Sequence, residues 1–229
     1  MLVKKWEKLP IEMQVDEIKE YHASLRKKNF SLLCKRVFDI MVAFIMLLLL
    51  SPILLLLAIA IKLNSRGPVL FRQERITQYG KKFRICKFRT MVADAEKRGA
   101  QVTSKNDSRI TGVGKLIRKC RLDELPQLFN VLGGSMTFVG TRPEVSKYVD
   151  RYTNEMKATL LLPAGITSMA SIKFKDEDEL LEEAENVDDA YVEKVLPEKM
   201  VYNLTELKKF GFWRDIGTMF KTVIAVFRR

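Results

Sequence analysis

Asp123 and Glu124 are adjacent carboxylates in an apolar-framed segment, directly preceded by Arg118, Lys119 and Arg121. Neighbouring cations favour the ionised form of both. An ionised aspartate can act as a nucleophile, and a carboxylate beside phosphates can hold Mg²⁺. Taken alone, the pair also fits a solvated helix face. Arg142, held between Thr141 and Pro143, could clamp a phosphate bidentately or form a structural ion pair. Thr111 to Lys115 (TGVGK) invites a phosphate-loop reading, but a single residue separates its glycines and Leu116 follows the lysine. The Walker pattern needs four residues between the glycines and Ser or Thr after Lys. His22 is the only histidine, which excludes histidine-based triads. Cys34, Cys86 and Cys120 are scattered, with neither a CxxC nor a zinc spacing, and read as reduced thiols.

These groups need a body and a surface to work on. Residues Ile40 to Ile61 run for 22 positions without a charge. As one helix they would span ~33 Å, enough to cross a hydrocarbon core of ~30 Å. Ser51-Pro52 sits in the middle, and Pro52 has no N–H for the Leu48 carbonyl. The Ser51 hydroxyl could help satisfy that freed carbonyl. Lys27, Lys28, Lys35 and Arg36 precede the stretch, and Lys62, Arg66 and Arg72 follow it. Positive charge marks the cytoplasmic side. Two basic flanks suit a re-entrant hairpin, and a spanning helix kinked at Pro52 stands level with it on these grounds. Lys35 and Arg36 fall where lipid phosphates would lie. The run starts too late and is too long for a secretory signal.

The formal charge is +12, and residues 176 to 193 hold ten acids and no base, so the rest carries +22. Such a body suits an anionic membrane surface or phosphate-bearing substrates. Nucleic acid is not expected, because no aromatics interleave the basic residues and no known module is present. The acidic stretch reads as a solubilising helix face.

Around these features, Ile11 to Leu25 carries a helical apolar stripe, to be laid on the membrane or on the body. Val69 to Arg72 and Phe83 to Cys86 read as strands about a Tyr79-Gly80 turn. Helices are predicted over Val92 to Gly99, Val113 to Cys120, Leu122 to Leu132 and Lys147 to Leu161. A loop is predicted over Gln101 to Ser108, and extended chain over Met136 to Val139 and Ile166 to Phe174. Phe212 to Phe227 forms a basic amphipathic helix suited to a membrane interface or to core packing.

In order, Ser51-Pro52, KFRTM (87–91), RITGVGKLIRKCRLDELPQLFNVL (109–132), MTFVGTRPE (136–144) and PAGIT (163–167) resemble the bacterial sugar transferases called monotopic phosphoglycosyl transferases. The resemblance covers about residues 33 to 172. It implies transfer of a phosphosugar from a UDP-sugar to undecaprenyl phosphate, with release of UMP, at the cytoplasmic face of the bacterial inner membrane. It implies Asp123 as nucleophile, Glu124 as a catalytic residue and Mg²⁺ ligand, and Lys87, Arg118 and Arg142 near the phosphates. The fold it implies is mainly α with a short β-hairpin (α+β). An N-terminal amphipathic extension (1–32) and a re-entrant helix–break–helix (33–62) precede a cytoplasmic domain with interfacial helices (63–229). Partners are the UDP-sugar, undecaprenyl phosphate and the lipid bilayer, and a homodimer is compatible with the pattern. Thr141 stands where the family commonly has proline, which would loosen the turn that aims Arg142. Ala164 interrupts the usual PGIT, and Leu162 replaces a frequent arginine. The rival reading is a membrane-surface scaffold with a degenerate transferase fold.

Overall fold

The computed structural model describes residues 2–92, 95, 107–175 and 186–227. Helices dominate. The helix read over Val92 to Gly99, the loop over 101–108 and the acidic stretch fall wholly or largely outside the described residues.

The antiparallel hairpin pairs β1 (Leu70–Ile76) with β2 (Lys82–Phe88), in register from Leu70↔Phe88 to Ile76↔Lys82. Its turn needs left-handed backbone, taken by Tyr79 at φ 60° and Gly80 at φ 71°. Tyr79 accepts that conformation because its ring is buried and its hydroxyl accepts from the Lys4 N–H at 3.0 Å.

Helix α1 (Asp16–Lys27) starts on acids and ends on bases, as the helix dipole favours. Its stripe, Ile18, Tyr21 and Leu25, is buried against Leu161, Leu207 and Phe210, so it packs on the body.

Helix α2 (Asn29–Asn64) is the long apolar element, and its helical assignment continues through Pro52. The expected break is therefore not visible as one, and no second membrane helix is set apart from the first. A local repair accounts for this: Ser51 Oγ donates to the Leu48 carbonyl at 2.8 Å, the group that Pro52 cannot serve. Leu32, Lys35, Asp39 and Ala43 bury one stripe of the first arm. In the second arm Leu54, Leu57, Ala58 and Ile61 pack on Phe88 and Ile117. Between the arms Leu48, Leu49, Leu55 and Leu56 are exposed.

Lys35 and Arg36 do not point outward as the sequence suggested. Lys35 is buried between Asp39 (3.6 Å) and Asp215 (2.8 Å), and the Thr137 hydroxyl donates to Asp39. Arg36 donates to the Val131 and Leu132 carbonyls at 2.8 and 3.1 Å. Those carbonyls end a helix and lack intrahelical partners, and a guanidinium fork is well shaped to satisfy them.

Helix α3 (Gly112–Lys119) is followed by a 3-10 turn (Leu122–Glu124) and helix α4 (Gln127–Leu132). One continuous helix was expected from Leu122. Pro126, which cannot donate, separates the two pieces. A parallel pair joins β3 (Met136–Val139) to β4 (Ala164–Thr167). Between them lie α5 (Ser146–Val149) and a 3-10 helix (Met156–Leu161), shorter than the predicted helix over 147–161. The extended run expected to Phe174 stops early. Ser168 accepts from the Ser171 N–H and caps α6 (Met169–Lys173). Helix α7 (Val187–Ala190), a π-helical turn (Tyr191–Val195) and α8 (Leu196–Lys208) follow without interruption.

Helix α9 (Phe212–Phe227) packs on the body with one face and leaves an apolar face exposed. Asp215, Met219 and Thr222 face the body, while Trp213, Phe220, Val223 and Ile224 are exposed.

Candidate active site

The carboxylate pair is placed by a sharp change of chain direction. Thr111 caps α3 by accepting from the Gly114 N–H at 3.0 Å. Arg121 then takes left-handed backbone at φ 55°, which ends the helix and turns Leu122–Glu124 back under β2. Asn130 fixes the other side. Its side chain accepts from the Cys86 N–H at 2.8 Å and donates to the Arg84 carbonyl at 2.9 Å. This locks α4 against β2 and sets Lys87 beside Glu124.

Glu124 Oε1 accepts from Lys87 Nζ at 2.9 Å and from Arg142 at 2.6 Å. Burial alone would raise the Glu124 pKa, but Arg142 and Lys87 outweigh it and hold the carboxyl well below the ordinary range. Burial pulls the Lys87 ammonium down against the attraction of Glu124. Asp123 goes the other way. Burial and then the Glu124 charge raise it, against Lys87, Arg118 and Arg121. The sequence expectation that the cations govern both carboxylates is thus corrected for Asp123, whose anion is the less stabilised. A less stabilised carboxylate is the more basic, and the better nucleophile, of the two.

The structure therefore brings together Asp123, Glu124, Lys87 and Arg142, with Arg118 acting electrostatically on Asp123. Asn130 was missed, although a polar side chain inside the apolar run LFNVL is itself a sign of a buried hydrogen bond. Beside Glu124 and Arg142 opens a cavity of about 360 Å³ between Met46, Leu128, Phe138 and Met219. It reaches from the charged cluster to the membrane-length helix and to α9. Lys119 and Arg121 also line it.

Adjacent carboxylates fit Mg²⁺ in the mode where one or two carboxylates share the ion with substrate phosphates and water. A dedicated protein cage is a different matter: the described residues contain no group of three or more His, Cys, Asp or Glu positioned around a common point.

Glu124 and Arg142 thus face a cavity that reaches a helix long and apolar enough to cross a membrane, and cations around a carboxylate at such a cavity are the kind of surroundings that attract anionic groups. The chain belongs to the bacterial sugar transferase family, whose model matches residues 30–229. It is 36% identical over 95% of its length to a UDP-N-acetylgalactosamine-undecaprenyl-phosphate N-acetylgalactosaminephosphotransferase of Aeromonas hydrophila, covering 49% of that protein. It is 38% identical over 87% of its length to a UDP-glucose:undecaprenyl-phosphate glucose-1-phosphate transferase of Klebsiella pneumoniae, covering 41% of it. With a Caulobacter vibrioides protein of the same name it shares 34% identity over 82% of its length and 68% of that protein. The chain thus spans half or less of the first two relatives.

Proposed function

We propose that this chain moves a phosphosugar from a UDP-sugar to undecaprenyl phosphate in two displacements on Asp123. A carboxylate oxygen of Asp123 attacks the sugar-linked phosphorus. The bond from that phosphorus to the bridging oxygen breaks, and UMP leaves with the electron pair. A phosphate oxygen of the lipid then attacks the same phosphorus and releases the Asp123 carboxylate, giving a polyprenyl diphosphate sugar. Lys87, Arg118 and Arg142 bind and orient the anionic phosphates. Mg²⁺, when bound, neutralises diphosphate charge, and Glu124 is the residue that would hold it.

The observation that carries this reading is that Glu124 and Arg142, with Lys119 and Arg121, line a largely apolar cavity that α2 and α9 also line, while Asp123 adjoins Glu124 in the chain and Lys87 bonds to Glu124. One acceptor with a phosphate head and an isoprenoid tail fits both ends of that cavity. The test is UMP release from a panel of UDP-sugars, with undecaprenyl phosphate and Mg²⁺. Wild-type protein is expected to release UMP with one or a few of them. A folded, membrane-bound protein that releases none with any sugar would favour the scaffold.

The reading requires both ends of the membrane segment on one side. Contacts support that. Arg36, before the apolar run, bonds the end of α4, while Asn64, after it, accepts from the Val113 N–H at 3.4 Å at the start of α3. A single body cannot lie on both faces of a bilayer. We therefore take the segment as re-entrant from the cytoplasmic face of the bacterial inner membrane, a reading these contacts support. Cysteines placed at positions 2 and 66 are expected to resist an impermeant thiol reagent in intact spheroplasts. The Ser51→Ala, Pro52→Leu double variant is expected to shift toward spanning and to expose position 2. Labelling of wild type from outside at either position would sink the assignment.

A further inference from the structure

Arg142 lies in a turn gripped at both ends. On one side Gly165 N donates to the Thr141 carbonyl at 2.8 Å and Gly140 N to the Thr167 carbonyl at 3.0 Å. On the other, Ile76 N donates to the Glu144 carbonyl at 2.9 Å and Arg75 to the Pro143 carbonyl at 3.3 Å. The Glu144 side chain is buried, and Tyr191 Oη donates to it at 2.6 Å. Lys199 Nζ donates to Tyr191 Oη at 3.0 Å and stands 3.8 Å from the Glu144 carboxylate, as does Arg75.

Tyr191 and Lys199 are eight residues apart, which in a regular α-helix leaves them ~80° out of line. The intervening turn is π-helical (Tyr191–Val195). Its wider i→i+5 turn takes up about one extra residue and returns both side chains to the face that meets Glu144. Lys199 is only 4% exposed. A lysine so buried costs stability unless its charge is answered, and an apolar residue would fill the space more cheaply.

We infer that Tyr191 and Lys199 are positioning residues for the reaction, acting through Glu144 to hold the 140–144 turn and so to aim Arg142 at Glu124. In this chain they supply rigidity that Thr141 does not. The inference rests on the transferase reading for its activity readout, but not for its structural one.

The test uses the full chain in nanodiscs, as Tyr191→Phe, Lys199→Met, Arg142→Lys and the Lys199→Met/Arg142→Lys double variant. Hydrogen exchange is followed on the peptide covering residues 140 to 145, alongside thermal midpoints and UMP-release kinetics. Lys199→Met is expected to speed exchange in that peptide and to lower kcat roughly tenfold, the scale of a slightly misplaced catalytic group, with a smaller change in KM. Tyr191→Phe keeps the ring, which packs tilted against Tyr148 at 4.7 Å between centroids, and is expected to act in the same direction more weakly. In the Arg142→Lys background, Lys199→Met should cost little further in kcat, because both act through one group. Full additivity, or wild-type kcat and exchange in the folded single variants, would overturn the inference. If Lys199→Met does not fold, Tyr191→Phe decides. If wild type itself releases no UMP, the transferase reading has failed, and the exchange arm still decides whether the dyad holds the turn.

Discussion

Asp123→Asn is expected to abolish turnover, with a loss of roughly 10⁴-fold or more, the scale seen when a covalent nucleophile is removed. The substitution is nearly isosteric, so the 3-10 turn and the Lys87–Glu124–Arg142 contacts should persist. What is lost is the charged oxygen that would attack phosphorus. No histidine beside it is available to activate a hydroxyl in its place, since His22 is the sole histidine and bonds the Lys4 carbonyl. Wild-type protein given UDP-sugar without lipid should release up to one UMP per enzyme and gain the mass of a phosphosugar on a peptide containing Asp123. The asparagine variant should do neither. If quenched single-turnover samples of wild type carry no adduct, and UMP appears only with undecaprenyl phosphate, direct transfer in a ternary complex replaces the two-step route. Asp123 would then act as a base or a metal ligand.

Gly165→Ala is expected to damage the turn that carries Arg142 through a single added methyl. A Cβ at Gly165 would stand 2.2 Å from Gly140 N and 2.3 Å from Gly140 O. Those are backbone atoms and cannot rotate away, so β3 and β4 must separate. The bonds from Gly165 to Thr141 and from Gly140 to Thr167 then weaken together. A cost of about 3 kcal/mol is expected for such overpacking, or a fall of about 6–12 °C in the thermal midpoint for a protein of this size. Activity should fall further than folding alone explains, because the same turn carries Arg142. Gly112→Ala is the control, since a Cβ there meets nothing within 4 Å. A Gly165→Ala protein with an unchanged midpoint and unchanged turnover would show that the strand contact is not what holds the turn.

The elements that were legible in the sequence are those whose cause is local. The α1 stripe, the Tyr79-Gly80 turn and the helix after Thr111 each follow from spacing or from one backbone constraint. Asp123, Glu124, Lys87 and Arg142 were marked by the family resemblance, and the structure places them together. Features set by long-range partners were not legible. Asp39, four residues on, was a legible partner for Lys35 or Arg36, but Lys35 still looked like a lipid-facing charge because its nearer counter-ion, Asp215, lies far away in the chain. Lys199 carried no signal, since its partner Glu144 arrives from another element and the π-turn that aligns it has no clear sequence mark. Asp188, taken as part of a solvated acidic face, pairs with Lys147 at 2.6 Å. The sign of the Asp123 shift depends on burial, which a neighbour list in sequence does not give.

The Lys35–Asp39–Asp215 cluster bears on how this protein can be cut. Its charges come from α2 and from α9, and Thr137 of β3 closes it. A fragment beginning after the apolar run, designed to behave as a free soluble enzyme, would lose Lys35 and Asp39. It would keep Asp215 without its counter-ion and the α4 carbonyls without Arg36. The face uncovered with them includes Leu128, Val131 and Met136. Such truncation would therefore remove part of the interior rather than a tether, and grafting a foreign anchor in its place would not restore it.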